Sequence, residues 1–324
     1  MITFNQVTKT FINDTTAVDN VSFTVKKGNL VTLIGPSGCG KTTTMKMINK
    51  LIPLTSGTIT INGNDILTED DVELRRNIGY VIQRIGLLPH MTIEENVSIV
   101  PKLKGWKKKD YEKKVDELLD LVGLDPHVYK KRYPLELSGG QQQRIGVIRA
   151  LAGDPPIILM DEPFSALDPI SREQLQDELK LMQKNIQKTI VFVTHDMDEA
   201  LKLADEIVVM KDGSIQQIAS PTKLVQDPIN EFVRSFIGEH RVKQTSNTLG
   251  DTRVDSIMRP WPSDQKDVHF PFLSYQSSLQ EVARLMLVKE TETIIITGEN
   301  GHPKGMIEKN QLLRELAGIQ EEVQ

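Results

Sequence analysis

Residues 30–43 read Leu30-Val31-Thr32-Leu33-Ile34-Gly35-Pro36-Ser37-Gly38-Cys39-Gly40-Lys41-Thr42-Thr43. The apolar run predicts a buried strand, and the helical pattern that begins near Lys41 completes a strand, glycine-rich loop, helix unit. The spacing fits G-x-x-x-x-G-K-[ST]. In that pattern glycines let successive backbone N–H groups curl around an anion, and the helix N-terminus adds the positive end of its dipole. Lys41 is then placed to reach β- and γ-phosphates, and the Thr42 hydroxyl to face Mg2+. A glycine-rich loop alone also serves as an ordinary turn, but Lys41-Thr42 behind a buried strand points to a nucleotide site. Cys39 lies between glycines beside Lys41 at a helix start, surroundings expected to lower its pKa and raise its reactivity. The plainer reading is a small residue filling the loop.

At 324 residues the chain has room for about two domains, and 39% hydrophobic with 26% charged residues suits a globular protein with a sizeable core. The net charge of -5, from 44 acidic and 39 basic side chains, gives no pull toward nucleic acid or an anionic membrane. The single cysteine cannot form an internal disulfide, and Met1-Ile2-Thr3-Phe4-Asn5 lacks the basic start of a signal peptide, so the cytoplasm is expected. No run approaches the ~18 apolar residues of a membrane helix. Any attachment to a membrane is expected to come through a partner.

Residues 1 to 30 alternate apolar and polar side chains in short pieces, as antiparallel strands do, with Phe11 on the turn between them. An aromatic there either stacks on a base or simply packs. Gly57 to Gly63 predicts a strand entering an Asn-Gly turn, Thr43 to Leu51 a helix, and Ile78 to Gln83 a buried strand with a polar end. Gln83 reads either as a backbone satisfier or as a switch around a metal and γ-phosphate. Residues 86 to 136 turn to helical periodicity and carry the basic run Lys104 to Lys114. Its lysines are interleaved with Asp110, Glu112 and Asp116, which favours a solvated helix face over a site for an anionic partner.

Leu137-Ser138-Gly139-Gly140-Gln141 opens a further helix, with Ser138 placed to cap it and glycines exposing its unpaired N–H groups. That is a second anion cradle, so either the chain folds back on itself or two copies face each other. Ile157 to Pro163 is a buried strand ending in Asp161 and Glu162. The first carboxylate is suited to holding Mg2+ and the second to orienting an attacking water. The next strand, Thr189 to Thr194, ends in His195-Asp196 at the same catalytic edge.

Over residues 1 to about 238 these pieces resemble the ATPase subunit of an ABC transporter, with the Leu137 to Gln141 signature between the phosphate loop and the Asp161-Glu162 strand. The resemblance implies an α/β P-loop fold: a mixed sheet with helices, an antiparallel β subdomain and a helical subdomain at about 86–136. It implies adenine stacking on Phe11, phosphates held by Gly35, Pro36, Ser37, Gly38, Cys39, Gly40, Lys41, Thr42 and Thr43, and Mg2+ at Thr42, Gln83 and Asp161. Glu162, His195 and Gln83 become the catalytic set. Ser138, Gly139, Gly140 and Gln141 would contact γ-phosphate on the opposite subunit, and Asp168 would cross the interface of a head-to-tail homodimer closing on two ATP molecules. Also implied are a transmembrane permease subunit, an extracytoplasmic substrate-binding protein or domain, and a peripheral place at the cytoplasmic face of the membrane. A soluble ABC-type ATPase acting on DNA or ribosomes would carry long coiled-coil insertions or two cassettes in one chain, and neither is present in this sequence.

Val81-Ile82-Gln83-Arg84-Ile85-Gly86-Leu87-Leu88-Pro89-His90-Met91-Thr92, with Asn96-Val97 and Val100-Pro101, resembles importers of quaternary amines such as glycine betaine, carnitine and choline. Methionine, polyamine and oxyanion importers share the general layout with less of this wording. Residues 240–252 read as a polar linker, and 253–324 resemble one CBS repeat, a small α+β domain. Glu308 and Gln311 stand where nucleotide-binding repeats place a hydroxyl and a carboxylate. Nucleotide binding there in the usual mode is not expected, which leaves a structural remnant or a regulatory module.

Overall fold

Alternating residues at the N-terminus form β1 (Ile2–Thr10) and β2 (Thr16–Val25), and the apolar run behind them forms β3 (Leu30–Ile34), buried along its whole length. The computed structural model describes residues 1–82, 86–165, 167–186, 188–239, 241–242, 254–261, 270–298 and 302–316. After the glycine-rich loop come α1 (Lys41–Ile48), β4 (Ser56–Ile61), β5 (Asn64–Asp65), α2 (Asp71–Arg76) and β6 (Ile78–Val81). A helical stretch follows, made of α3 (Ile93–Leu103), α4 (Lys108–Leu121) and α5 (Pro126–Tyr129), and leads to α6 (Gly139–Leu151). The chain then alternates through β7 (Ile157–Asp161), α7 (Pro169–Ile186), β8 (Thr189–Thr194), α8 (Met197–Leu203) and β9 (Glu206–Lys211). It continues with β10 (Ser214–Ala219), α9 (Pro221–Gln226) and α10 (Glu231–Ile237).

The main sheet has the order β10-β9-β3-β8-β7-β6, parallel except at the β10 edge, and a second, antiparallel sheet has the order β2-β1-β4-β5. Neighbouring residues of the parallel strands point to opposite faces. Leu30, Ile158, Met160, Ile190 and Phe192 therefore join one core with the helical stretch and α6. Val31, Leu33, Ile157, Leu159, Val191 and Val193 join the other, against α1 and the antiparallel sheet. Strands buried on both faces read as continuous apolar runs, as β3, β7 and β8 do.

Register decides where chemistry can occur. Ile34 pairs with Thr194 and Asp161 with Val193, so β3, β7 and β8 end level with one another. The glycine-rich loop, Glu162 and His195 consequently leave the sheet side by side.

Helix α1 stops at Ile48, short of the expected Leu51, because Lys50 takes a left-handed backbone with φ of 53°. The lysines of α4 are largely exposed and pair along the helix, Lys108 with Glu112 at 3.6 Å and Lys113 with Glu117 at 3.5 Å. Exposed pairs of this kind are worth about 0.3–0.5 kcal/mol each, which fits a solvated face.

The chain divides into two units, Met1–Ile237 and Gly238–Gln324. In the second, β11 (Arg259–Pro260), β12 (Phe272–Ser274), α11 (Leu279–Lys289), β13 (Thr293–Thr297), β14 (Pro303–Glu308) and α12 (Lys309–Leu316) form a four-stranded sheet of order β11-β14-β13-β12 with two helices. Its own core contains Val254, Val282, Met286, Ile294, Ile296, Ile307 and Leu312. Of the linker expected at 240–252, all but 241 and 242 lies outside the described residues.

Separate cores imply separate cooperativity. A chain ended at residue 238 is expected to stay soluble and to unfold in one sharp calorimetric transition. A broad, non-cooperative melt would show that the first unit depends on the second.

Candidate functional site

Level strand ends surround a cavity of about 400 Å³ lined by Ala17, Ser37, Gly38, Gly40, Lys41, Thr42, Thr43, Glu162 and His195. The loop that forms one wall needs its glycines. Gly40 sits at φ of 98°, and a Cβ there would lie 2.2 Å from the Ala17 carbonyl oxygen. Any other residue would be strained twice over, by its backbone and by contact. Gly40 is also the N-cap of α1, so the first N–H groups of that helix open toward the cavity.

Lys41 is buried, and its Nζ donates to the carbonyls of Gly35 at 2.8 Å and Pro36 at 2.9 Å. The ammonium thus stands inside the curl of the loop, where an anion would meet it. Thr42 Oγ1 donates to Asp161 Oδ1 at 2.9 Å, and Lys46 Nζ lies 4.0 Å from Asp161 Oδ2. Burial raises the Asp161 pKa, while the Thr42 hydrogen bond and the lysine charge pull it down. A further positive group near this carboxylate would favour its ionised form.

Glu162 leaves the strand in a left-handed conformation, φ of 45°, with its N–H donated to the Val193 carbonyl at 2.9 Å. A non-glycine residue held there costs on the order of 1–3 kcal/mol, which is common where a side chain must be aimed. It aims the carboxylate at the cavity, 3.4 Å from His195 Nδ1.

Ser138 caps α6 as expected. Its Oγ accepts from the Gln141 N–H at 3.3 Å, and Gln141 Oε1 accepts from the Ser138 N–H at 3.0 Å. Ser138 and Gly139 are exposed, and none of Ser138, Gly139, Gly140 or Gln141 lines the cavity. Asp168 is exposed on the segment before α7 and does not line it either. Phe11 lies on the β1–β2 turn, 39% exposed, with Lys9 Nζ 5.2 Å from its ring centroid, and it too stands outside the lining. Gln83 lies outside the described residues. Ala17, which sequence reasoning missed, lines the cavity because β2 runs past Gly40, and a lone alanine carries no signal of that.

Cys39 corrects an expectation. Its side chain turns away from the cavity into the core, only 3% exposed. Burial pushes the thiol pKa up and outweighs the opposing charge of Lys41, whose Nζ is 3.8 Å from Sγ. The plainer reading, a small residue filling the loop, is the one the structure bears out. Alkylation of Cys39 in the folded chain at neutral pH should be at least ~10-fold slower than in denaturant. Equal rates would put the thiol at the surface.

Residues 18–165 match the family described as ABC transporter. The chain is 50% identical over 308 residues to a choline transport ATP-binding protein, OpuBA of Bacillus subtilis, spanning 95% of this chain and 78% of that protein. It is 50% identical over 312 residues to a carnitine transport ATP-binding protein, OpuCA of Listeria monocytogenes, spanning 96% of this chain and 76% of that protein. Among solved structures, the dimeric structure of MJ0796, a bacterial ABC transporter cassette, superposes with a TM-score of 0.62 at 35% identity, over 68% of this chain and 99% of that one. Fold, loop geometry and relatives agree: the chain belongs to the ATP-binding subunits of ABC transporters.

Proposed function

We propose that this chain is the ATP-hydrolysing subunit of an importer for quaternary amines, of the glycine betaine, carnitine or choline type. It works as a head-to-tail pair at the cytoplasmic face of the membrane, beneath a separate permease and with an extracytoplasmic substrate-binding protein or domain. One observation carries the hydrolysis reading. Lys41, Thr42, Glu162 and His195 meet at one cavity, while the second cradle, Ser138 to Gln141, points elsewhere. In a head-to-tail pair Ser138 to Gln141 of each subunit complete the site of the other, and Asp168 lies at the contact. The likeness to a cassette described as dimeric supports that pairing.

The residues fit Mg2+. A threonine hydroxyl and a buried carboxylate 2.9 Å apart are hard oxygen donors. Two protein oxygens leave the remaining positions to water and phosphate, as this ion prefers. When bound, Mg2+ offsets the charge on the phosphate oxygens. The chain's own groups do the rest. The loop N–H groups and Lys41 hold the β- and γ-phosphates, and Glu162 takes the proton of the attacking water. His195 contacts the γ-phosphate, and closure of the pair excludes other water.

A groove of about 350 Å³ lined in part by Ile78, Tyr80, Ile82, Ile99, Val100 and Arg149 lies between β6 and α3. It is mostly apolar and stands next to Gln83 in the chain, which suits a helix of the permease and gives Gln83 the role of sensing nucleotide and partner together. The second unit reads as a single CBS-like repeat. Glu308 lies 3.7 Å from Arg259, and Gln311 Nε2 donates to the Ile257 carbonyl. Neither side chain is the hydroxyl or carboxylate that would hold phosphate and ribose, which leaves a structural remnant or a regulatory or dimer-stabilising module.

The substrate class follows from relatives whose names specify choline and carnitine transport. Uptake of labelled glycine betaine, carnitine, choline and methionine tests it in cells carrying this chain or its Glu162→Gln variant, whose hydrolysis should fall at least ~100-fold. Loss of uptake for a quaternary amine is expected. A response from methionine alone, or from nothing in the panel, would contradict the substrate class.

A further inference from the structure

His195 presents a problem of positioning. Its side chain is 64% exposed, so packing cannot fix the direction of the ring that stands 3.4 Å from Glu162. Direction must come from the backbone, and the residues on either side of His195 are tied down. Thr194 Oγ1 accepts the Asp196 N–H at 3.0 Å, closing the turn over His195, and donates to Glu199 Oε2 at 2.6 Å. Asp196 Oδ1 caps α8 through the N–H groups of Asp198 at 2.8 Å and Glu199 at 3.4 Å.

Glu199 is the hub of these contacts. It is only 5% exposed, and besides Thr194 it meets Gln176 Nε2 at 3.5 Å and Arg172 Nε at 4.0 Å. Burial raises its pKa, and the Thr194 hydrogen bond and the Arg172 charge oppose that. Arg172 in turn lies 3.8 Å from Asp196 Oδ2 and donates through Nη2 to the Leu167 carbonyl at 3.2 Å. Leu167 directly precedes Asp168. Between these groups is a polar cavity of about 40 Å³ lined by Glu162, Ser165, Arg172, Thr194, His195, Asp196 and Glu199, roomy enough for one bridging water. Glu162 and His195 line this cavity on one side and the nucleotide cavity on the other.

We propose that Glu199 is a positioning residue for hydrolysis: it fixes the turn that presents His195 and, through Arg172, joins that turn to the segment carrying Asp168. The buried carboxylate accepts from the Thr194 hydroxyl through Oε2 and from the Gln176 amide through Oε1, with the Arg172 charge 4.0 Å away. A glutamine of equal size can accept from only one of them and sets an amide donor against the other. The turn then loses one anchor while the phosphate loop, on the far side of the cavity, keeps all of its own. Turnover suffers and nucleotide binding does not.

The inference rests on the hydrolysis reading above, and phosphate release by the purified 324-residue chain tests both. Glu199→Gln is expected to lower kcat ~10-fold or more, since small misplacements of reacting groups are costly. KM for MgATP should stay within about two-fold, the mark of a group that acts on the chemical step. Thr194→Val, which removes the hydroxyl at nearly constant volume, should show the same split, and Thr194→Ser, which keeps it, should restore turnover. If Glu199→Gln does not fold, the Thr194 pair decides by the same criteria.

Turnover of Glu199→Gln within two-fold of the parent would overturn the inference. So would a fall in kcat matched by an equal loss of nucleotide affinity, or equal behaviour of Thr194→Val and Thr194→Ser. Hydrolysis that Glu162→Gln abolishes but Glu199→Gln spares would remove this inference alone. No hydrolysis by the parent chain would remove the hydrolysis reading and this inference with it.

Discussion

The level register of three parallel strands, Ile34 beside Thr194 and Asp161 beside Val193, sets where Lys41, Asp161, Glu162 and His195 stand. Strand ends that finish together let the glycine-rich loop, Asp161, Glu162 and His195 meet without long loops to hold them. The apolar runs of β3, β7 and β8 are what hold the register, because each faces a core on both sides. A slip of one residue would turn every side chain of a strand to the opposite face.

The chain carries two sets of backbone donors at helix N-termini. One set is fixed around Lys41 and the N-terminus of α1, and the other around Ser138 at the N-terminus of α6. In the proposed head-to-tail pair, separation of the two sets makes the competent site a property of both chains. Hydrolysis then becomes conditional on closure, and closure is something a membrane partner can sense and use. In such a device the contacts between the Asp168 segment and the His195 turn matter as much as the donors themselves.

Much of this was legible in the sequence because it is local. The glycine spacing in Gly35 to Gly40 dictates a backbone shape, Ser138 three residues before Gln141 dictates a capping box, and an apolar run ending in Asp161-Glu162 dictates a strand edge with carboxylates. What depended on packing was hidden. The neighbours of Cys39 in the chain suggested a reactive thiol, but its neighbours in space are core residues, and burial wins. Ala17 enters the site only because β2 passes Gly40. Glu199 is one of 44 acidic residues, and nothing in its chain context announces that a threonine of β8 and a glutamine and an arginine of α7 converge on it.

Light scattering of the Glu162→Gln chain with MgATP tests whether two chains share two nucleotides. The account predicts a particle of twice the single-chain mass that retains one nucleotide per chain and dissociates when nucleotide is removed. A particle of single-chain mass that still binds nucleotide would contradict it, because one chain would then be sufficient for the site.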